Sequence, residues 1–159
     1  MPRQIERRGN VTHAKALCTK FGLTFLIGRF VALGPYVFAT TFSSTQMNRA
    51  SRYWYWAYQK LLRGKYGPQI DFILLEGTEK QRHRYFLLET GEIRQLKRLL
   101  AKGKGKHRPE QIVVNIDKLN ERSEKGPPRY VKKLHLIADS EKTSGELREL
   151  FRLLGKRST

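Results

Sequence analysis

The chain has 159 residues, of which 39% are apolar, and its 32 Lys and Arg against 14 Asp and Glu leave a formal net charge of +18. This length fits one domain, residues 1–159, with a sizeable core. The single cysteine excludes an internal disulfide and a thiolate zinc site. The longest apolar run, 21–34, is too short for a membrane span, and the N-terminus has no apolar signal segment. The sequence therefore predicts an intracellular protein that is neither secreted nor bound to a membrane.

Helix and strand signals follow a basic arm in the first part of the chain. In order, the arm, a short helix and two strands are predicted at residues 1–10, Val11–Phe21, Leu23–Leu33 and Tyr36–Phe42. Gly34 and Pro35 stand between the two apolar runs, which is typical of a hairpin. The pattern therefore predicts an antiparallel strand pair near the N-terminus.

A long amphipathic helix is predicted from Thr45 to Arg63, where Gly64 stops it. At 100° per residue, the apolar positions share one face: Met47, Ala50, Trp54, Ala57 and Leu61. The opposite face holds four cations and one indole: Arg49, Arg52, Trp56, Lys60 and Arg63. Exposed helix faces ordinarily mix acidic and basic residues. A cationic face without an acid therefore indicates contact with phosphates, and an indole on that face can stack on a base.

Two further strand pairs and two helices are predicted in the second part of the chain. The strand pairs are Ile70–Leu75 with Arg84–Glu89, and Ile112–Asp117 with Tyr130–Ala138. One helix covers 92–102, and the other begins with a capping box at 143–146. Each predicted strand pair precedes a helix, so the order is ββα three times. This order predicts an α+β fold with a largely antiparallel sheet and amphipathic basic helices.

The helix at 92–102 and the segment that follows it repeat the cationic pattern. The inward positions of the helix are apolar: Ile93, Leu96, Leu99 and Leu100. Its outward positions are cationic: Arg94, Lys97, Arg98 and Lys102. Residues 102–109 alternate lysine with glycine, which predicts a flexible basic loop that follows a phosphate backbone. The expected contacts in this loop are Lys104, Lys106 and Arg108.

The segment GPQIDFILLEGTEKQRHRYFLLETG is followed by a helix and by the apolar strand QIVVNID. Together these parts, over roughly 54–117, resemble the core of PD-(D/E)XK nucleases. The resemblance implies that Asp71 and Glu89 hold a divalent cation, Mg²⁺ or Mn²⁺, for hydrolysis of DNA. Gly91 stands at the position where that family has a lysine.

Three further motifs, YVFATTF, LLRGKYG and the Tyr-x-x-Lys pattern of Tyr130 and Lys133, lie between residues 36 and 133. This longer segment resembles the Rep-type (HUH) initiators of rolling-circle replication. The resemblance implies that Tyr130 attacks a DNA phosphodiester, that Lys133 belongs to the same catalytic motif and that His83 binds the metal ion. Arg84 and Tyr85 follow His83 where those initiators have an apolar residue and a second histidine.

The sequence as a whole predicts a nucleic-acid-binding protein that contacts the phosphate backbone through basic helix faces and the Lys-Gly loop. DNA is favoured over RNA because both resemblances are to DNA-processing proteins. Two alternatives stay open: a small endonuclease or nickase that uses Mg²⁺ or Mn²⁺, and a ribonucleoprotein component. The pattern leaves the oligomeric state open, with a homodimer as one option. His13, His107 and His135 lie far apart in the sequence, so no metal cluster is indicated among them.

Overall fold

A computed structural model of the chain describes residues 2–48, 50–57, 61–62, 69–102, 111–119 and 140–157. In chain order its helices and strands are α1 (Pro2–Phe21), β1 (Thr24–Ile27), β2 (Phe30–Leu33), β3 (Tyr36–Ser44), β4 (Gln46–Asn48), β5 (Ser51–Ala57), β6 (Phe72–Glu79), β7 (Arg82–Leu88), α2 (Thr90–Lys102), β8 (Gln111–Asn115), β9 (Glu141–Lys142) and α3 (Ser144–Arg157). Short helical pieces at 61–62 and 116–119 complete the described structure.

The strands form two sheets. The larger sheet has six strands in the order β1-β2-β3-β6-β7-β9, and the smaller has three in the order β4-β5-β8. All strand pairs are antiparallel except β3 with β6, which run parallel and are joined by a crossover that contains β4 and β5. Helices together with mostly antiparallel strands make this an α+β fold, as predicted.

The N-terminal helix is longer than expected. The helix predicted at Val11–Phe21 begins instead at Pro2, so it extends through most of the predicted basic arm at 1–10. The helix ends at Phe21, where Gly22 takes a φ of 70° and the N–H groups of Gly22 and Leu23 both donate to the carbonyl of Cys18. Glycine adopts this left-handed conformation without steric cost, so it stops the helix and turns the chain into β1.

Tight turns connect the strands of the large sheet. The hairpin predicted at Gly34 and Pro35 is confirmed, since Leu33 pairs with Tyr36 and Gly34 has a φ of 57°. A second turn at Gly28, with a φ of 59°, divides the predicted strand 23–33 into β1 and β2. The hairpin predicted between 70–75 and 84–89 is also confirmed. Its strands are longer than expected and meet at Lys80.

The helix predicted from Thr45 to Arg63 is wrong over residues 46–48 and 51–57. Residues 51–57 form β5, which pairs with β4 on one side and with β8 on the other. The segment SRYWYWA is rich in aromatic residues, which favour strands. Its burial alternates, with Trp54 and Trp56 buried and Tyr53 and Tyr55 half-buried, so the period is two and not 3.6. Pairing with the distant β8 stabilises the strand.

The six-stranded sheet is covered on both faces. On one face, which we call the α1 face, it packs against α1 and α3 around these buried residues: Ala14, Leu17, Phe21, Leu23, Val31, Phe38, Leu74, Tyr85, Leu87, Leu147, Phe151 and Leu154. On the other, the α2 face, it packs against α2 and the three-stranded sheet around residues that include Trp54, Trp56, Ile73, Leu75, Phe86, Ile93 and Leu96. Successive residues of a strand point to opposite faces, so Leu74 and Glu76 of β6 share the α1 face.

The last helix follows the prediction closely, whereas only one strand of the predicted third pair is described. The capping box is confirmed: the N–H of Glu146 donates to the hydroxyl of Thr143 at 3.0 Å, and the N–H of Thr143 donates to the carboxylate of Glu146 at 3.2 Å. The strand predicted at 112–117 is present as β8, but its described partner is β5. Its predicted partner, 130–138, lies outside the described residues. The first ββα unit is wrong, because β4 and β5 stand where its helix was expected.

Candidate functional site

Arg52, a predicted phosphate contact, is used inside the fold. Its guanidinium on β5 forms ion pairs with Glu79 of β6 and with Asp117, just after β8. The Nη2 atom of Arg52 lies 2.6 Å from Oδ1 of Asp117, and Nε donates to the same oxygen at 3.2 Å. This hydrogen bond is the main reason why the pKa of Arg52 is raised and that of Asp117 is lowered. The prediction that Arg52 belongs to an acid-free surface is wrong.

Trp56, the predicted stacking residue, is fully buried on the α2 face. Its ring packs against Trp54 and Phe86, with centroid distances of 5.8 and 5.7 Å. Its Nε1 atom donates to the carbonyl of Glu76 at 3.0 Å, so the polar end of the indole is satisfied inside the protein. Trp56 is therefore a core residue, and the prediction that it faces a ligand is wrong.

The cations of α2 face outward. Ile93 and Leu96 of this helix are buried, whereas Arg94, Lys97 and Arg98 are exposed. Within the described part of the chain, these three cations have no hydrogen-bonding or ion-pair partner. We call Arg94, Lys97 and Arg98 the basic surface.

Most of the other predicted contacts and the predicted nucleophile cannot be placed in the fold. For Lys102 only the backbone is described, at the end of α2. Eight more residues lie outside the described part of the chain: Arg49, Lys60, Arg63, Lys104, Lys106, Arg108, Tyr130 and Lys133. Their roles in binding or catalysis stay predictions.

Asp71 and Glu89 hold chain segments together near one end of the six-stranded sheet. Oδ2 of Asp71 accepts the N–H of Val37 at 2.8 Å, and the N–H of Asp71 donates to the carbonyl of Val37 at 2.9 Å. These bonds tie the start of β3 to the start of β6. The backbone of Glu89 begins α2, since its carbonyl accepts the N–H of Ile93 at 2.9 Å and its N–H donates to the carboxylate of Glu92 at 3.2 Å.

Of the predicted metal ligands, His83 lies at the opposite end of the strand pair from Asp71 and Glu89. His83 pairs across the hairpin with Thr78, which is seven residues beyond Asp71 and hence about 23 Å away at roughly 3.3 Å per residue. Among the described residues, no group of three or more His, Cys, Asp and Glu side chains is arranged to hold a metal ion. His83 therefore does not join Asp71 and Glu89, and the role of those two carboxylates as ligands of a divalent cation stays a prediction.

A cluster of polar side chains that the sequence did not predict lies on the α1 face. Glu76 of β6, whose side chain is 9% exposed, accepts hydrogen bonds from two imidazoles. His13 of α1 donates through Nε2 to one carboxylate oxygen, and His83 of β7 donates through Nδ1 to the other at 3.0 Å. The ring of His13 also packs beside Phe42, with centroids 4.7 Å apart. We call His13, Glu76 and His83 the histidine–carboxylate cluster.

Tyr85 and Lys20 extend this cluster. The Nζ atom of Lys20 donates to the hydroxyl of Tyr85 at 2.7 Å, and Tyr85 is the cross-strand partner of Glu76. Burial, and after it the charge of Glu76, raises the pKa of Tyr85. Burial also opposes the charge on Glu76, but hydrogen bonds from His13 and Tyr85 and the charges of the imidazoles outweigh it and lower the pKa of Glu76. Glu76 is therefore ionised at neutral pH.

One signal in the sequence could have indicated this cluster. Glu76 directly follows the apolar run Phe72 to Leu75, so the alternation of a strand places it on the same buried face as Leu74. A carboxylate in such a position needs partners, because an unpaired buried charge is costly. The sequence did not show which partners these are, since His13 lies 63 residues away.

Comparisons with protein-family models, with curated proteins and with solved structures found no match to this chain. Of the helices in the described residues, none combines the length and the apolar composition that crossing a bilayer requires.

Proposed function

We propose that this protein binds nucleic acid through the phosphate backbone, with the basic surface of α2 as a principal contact. The observation that carries the proposal is the exposure of Arg94, Lys97 and Arg98 without a carboxylate partner in the described part of the chain. Positions three and four residues apart are neighbours on a helix, with Cβ atoms about 5–6 Å apart. The three charges therefore act together on one stretch of a polyanion, where phosphate contact releases counterions and provides affinity.

Several carboxylates elsewhere are engaged within the fold, so they do not neutralise the basic surface. Glu79 and Asp117 bind Arg52, and Glu141 binds Nε of Arg84 at 2.7 Å. Glu76 is occupied by the two histidines. The excess of positive charge, +18 in total, repels itself across a folded chain, and a polyanionic partner relieves that repulsion.

The chain directly after α2 extends this cationic region in sequence. Lys102 ends the helix, and three more cations follow it in the Lys-Gly segment: Lys104, Lys106 and Arg108. A segment with glycine at alternate positions can adapt to a phosphate backbone on contact. We therefore include these residues in the proposed interface.

The phosphate contacts do not by themselves distinguish DNA from RNA, because the backbone charge is common to both. The preference for DNA came from the two nuclease resemblances. Those resemblances stay predictions, since Tyr130 and Lys133 lie outside the described residues and Asp71 and Glu89 lie at the same end of the strand pair. Duplex DNA, single-stranded DNA and RNA are therefore compared in one experiment.

The test is binding of a fluorescent mixed-sequence oligonucleotide, measured by anisotropy between about 50 and 200 mM salt. The variant replaces Arg94, Lys97 and Arg98 together by Gln. We expect it to bind at least about tenfold more weakly, and the slope of log affinity against log salt to fall by about 2 to 3, because each lost phosphate contact removes about 0.9 on duplex DNA.

A matched control removes the same amount of charge elsewhere, with Gln at Lys15, Lys80 and Arg82, which are also exposed. This control should retain most of the affinity, because its three cations lie apart from α2. Equal losses in the two variants would mean that net charge alone attracts the ligand. An affinity that does not change with salt would contradict phosphate contact altogether.

A further inference from the structure

The histidine–carboxylate cluster leaves one imidazole nitrogen available for chemistry. An ionised carboxylate only accepts hydrogen bonds, so Nδ1 of His83 carries the hydrogen that it donates to Glu76 at 3.0 Å. In the neutral ring the other nitrogen, Nε2, is then unprotonated and basic. The side chain of His83 is 49% exposed, whereas that of Glu76 is 9% exposed. A buried carboxylate thus orients a half-exposed imidazole whose opposite nitrogen has no partner among the described residues, which is the arrangement of a general base.

The surroundings of His83 suit a strand of nucleic acid. Thr78 of β6 and Ser44 of β3 lie in the same row across the sheet as His83, so short hydroxyl side chains adjoin the imidazole. In the next row, Phe42 is 41% exposed and packs beside His13. An exposed aromatic ring next to a polar site offers a surface on which a base can stack.

We propose that His83 is the general base of a site that cleaves RNA. Nε2 of His83 accepts the proton of a ribose 2′-hydroxyl, and the 2′-oxygen forms a bond to the adjacent phosphorus. The bond from phosphorus to the 5′-oxygen breaks, and the leaving oxygen takes a proton from water. The products are a 2′,3′-cyclic phosphate and a 5′-hydroxyl. His83 then returns its proton to solvent, so the reaction consumes no co-reactant.

This inference rests on the proposed function in one respect, since the strand must first be held by phosphate contacts. It also narrows the substrate to strands that contain ribonucleotides. One imidazole suffices there because the 2′-hydroxyl is already next to the phosphorus, and a nucleophile held in place reacts far faster than a free one. The cluster lies on the α1 face and α2 covers the opposite face of the sheet, so a strand that contacts both must pass around the sheet, and the residues for binding and for cleavage can be changed separately.

Glu76 and His13 are positioning residues in this proposal. Glu76 fixes the tautomer of His83 and the direction of its Nε2, and it stabilises the imidazolium that forms during the reaction. His13 holds the second oxygen of Glu76 from α1, and with its side chain only 11% exposed it orients Glu76 rather than contacting the substrate. Replacement of Glu76 by Gln should therefore shift the pH dependence of cleavage as well as its rate.

The experiment uses a fluorescent DNA oligonucleotide that contains a single ribonucleotide, an all-DNA counterpart, and buffer with EDTA. The full chain should cut the first substrate only at the ribonucleotide, leaving a 2′,3′-cyclic phosphate, and should leave the second intact. His83→Gln should lower the rate at least about 100-fold, the usual contribution of general base catalysis. Arg82→Gln, one residue away on the opposite face of β7, is the matched control and should cut at the wild-type rate.

The pH dependence of the wild-type rate keeps the proposal testable even if His83→Gln does not fold. The rate should fall towards acid pH, because only an imidazole with an unprotonated nitrogen accepts the proton of the 2′-hydroxyl. A flat profile, or a His83→Gln variant that folds and cuts normally, overturns the proposal. Binding of the oligonucleotide without cleavage overturns it and leaves the proposed function intact, whereas the absence of both overturns both.

Discussion

The strand β5 and the helix α2 were both expected to present cations to phosphate, and the fold gives those cations opposite surroundings. Arg52 stands beside large aromatic residues in β5, and the cations of α2 alternate with apolar residues. In the fold, Arg52 of β5 is bound by Glu79 and Asp117. Arg94 of α2 has no such partner among the described residues and faces solvent.

This difference shows what a cationic stretch does and does not establish. The outward direction of a cation on α2 follows from the local period of 3.6, because Ile93 and Leu96 fix the buried side of the helix. The ion pairs of Arg52, in contrast, are formed with carboxylates that lie 27 and 65 residues away in the sequence. A stripe of positive charge therefore predicts a binding surface only where no distant strand brings an acid to it.

The largest expected effect tests whether β5 belongs to the core. Trp56→Ala removes a fully buried indole and leaves the carbonyl of Glu76 without its donor. We expect a loss of about 3–5 kcal/mol in the free energy of unfolding, measured by urea denaturation. A variant that keeps normal stability but binds nucleic acid weakly would instead show that Trp56 contacts the ligand. That result would contradict the assignment of β5 to the core.

Two glycines sharpen the comparison further. A Cβ at Gly77 would lie 2.5 Å from the ring of Trp54, whereas a Cβ at Gly91, in the first turn of α2, would meet nothing within 4 Å. Gly77→Ala should therefore destabilise the protein by about 1–3 kcal/mol through overpacking. Gly91→Ala should stabilise it by about 0.5–1 kcal/mol, because alanine restricts the unfolded chain more than glycine does. Melting temperatures of the two variants should move in opposite directions, and a shift of the same sign would contradict this packing.

A smaller, pH-dependent effect is expected at Glu76, which faces His13, His83, Tyr85 and the α1 side of the sheet. Because its pKa is lowered in the fold, its charge contributes stability above the pKa of an unfolded Glu, about 4.3. Glu76→Gln should cost about 1–2 kcal/mol at pH 7. The difference from wild type should shrink as the pH falls below about 4.3 and disappear below the lowered pKa. A difference that stays constant down to pH 2 would show that the charge of Glu76 is not responsible.

The smallest effect is expected for binding by Arg52. Arg52→Gln removes a cation that already forms ion pairs with two carboxylates, so the affinity for an oligonucleotide should stay within about twofold of wild type. The matched change on α2, Arg94→Gln, should weaken binding more at the same salt concentration. Anisotropy titrations of the two single variants give the comparison directly. Equal losses would mean that Arg52 exchanges its internal partners for phosphate.

Features that depend on neighbours in the chain were predictable from the sequence. The turn at Gly34, the hairpin of β6 and β7, the span of α2 and the capping box from Thr143 to Glu146 all appear at or near their expected positions. Each depends on residues within a few positions of one another, or on a glycine that alone adopts the required φ. The α+β class followed from these elements.

Only the tertiary structure decided the identity of β5 and the surroundings of the charged residues. A segment with Trp at alternate positions forms a strand when another strand pairs with it and can otherwise form a helix. The partner of this segment, β8, begins more than 50 residues later in the chain. Likewise, His13 and His83 meet at Glu76 because α1 packs across the sheet, and Arg52 meets Asp117 because β8 follows β5 in the smaller sheet. Local sequence determines where a side chain sits on its own element. The packing of elements distant in sequence determines what that side chain contacts, and therefore which charges remain free for a ligand.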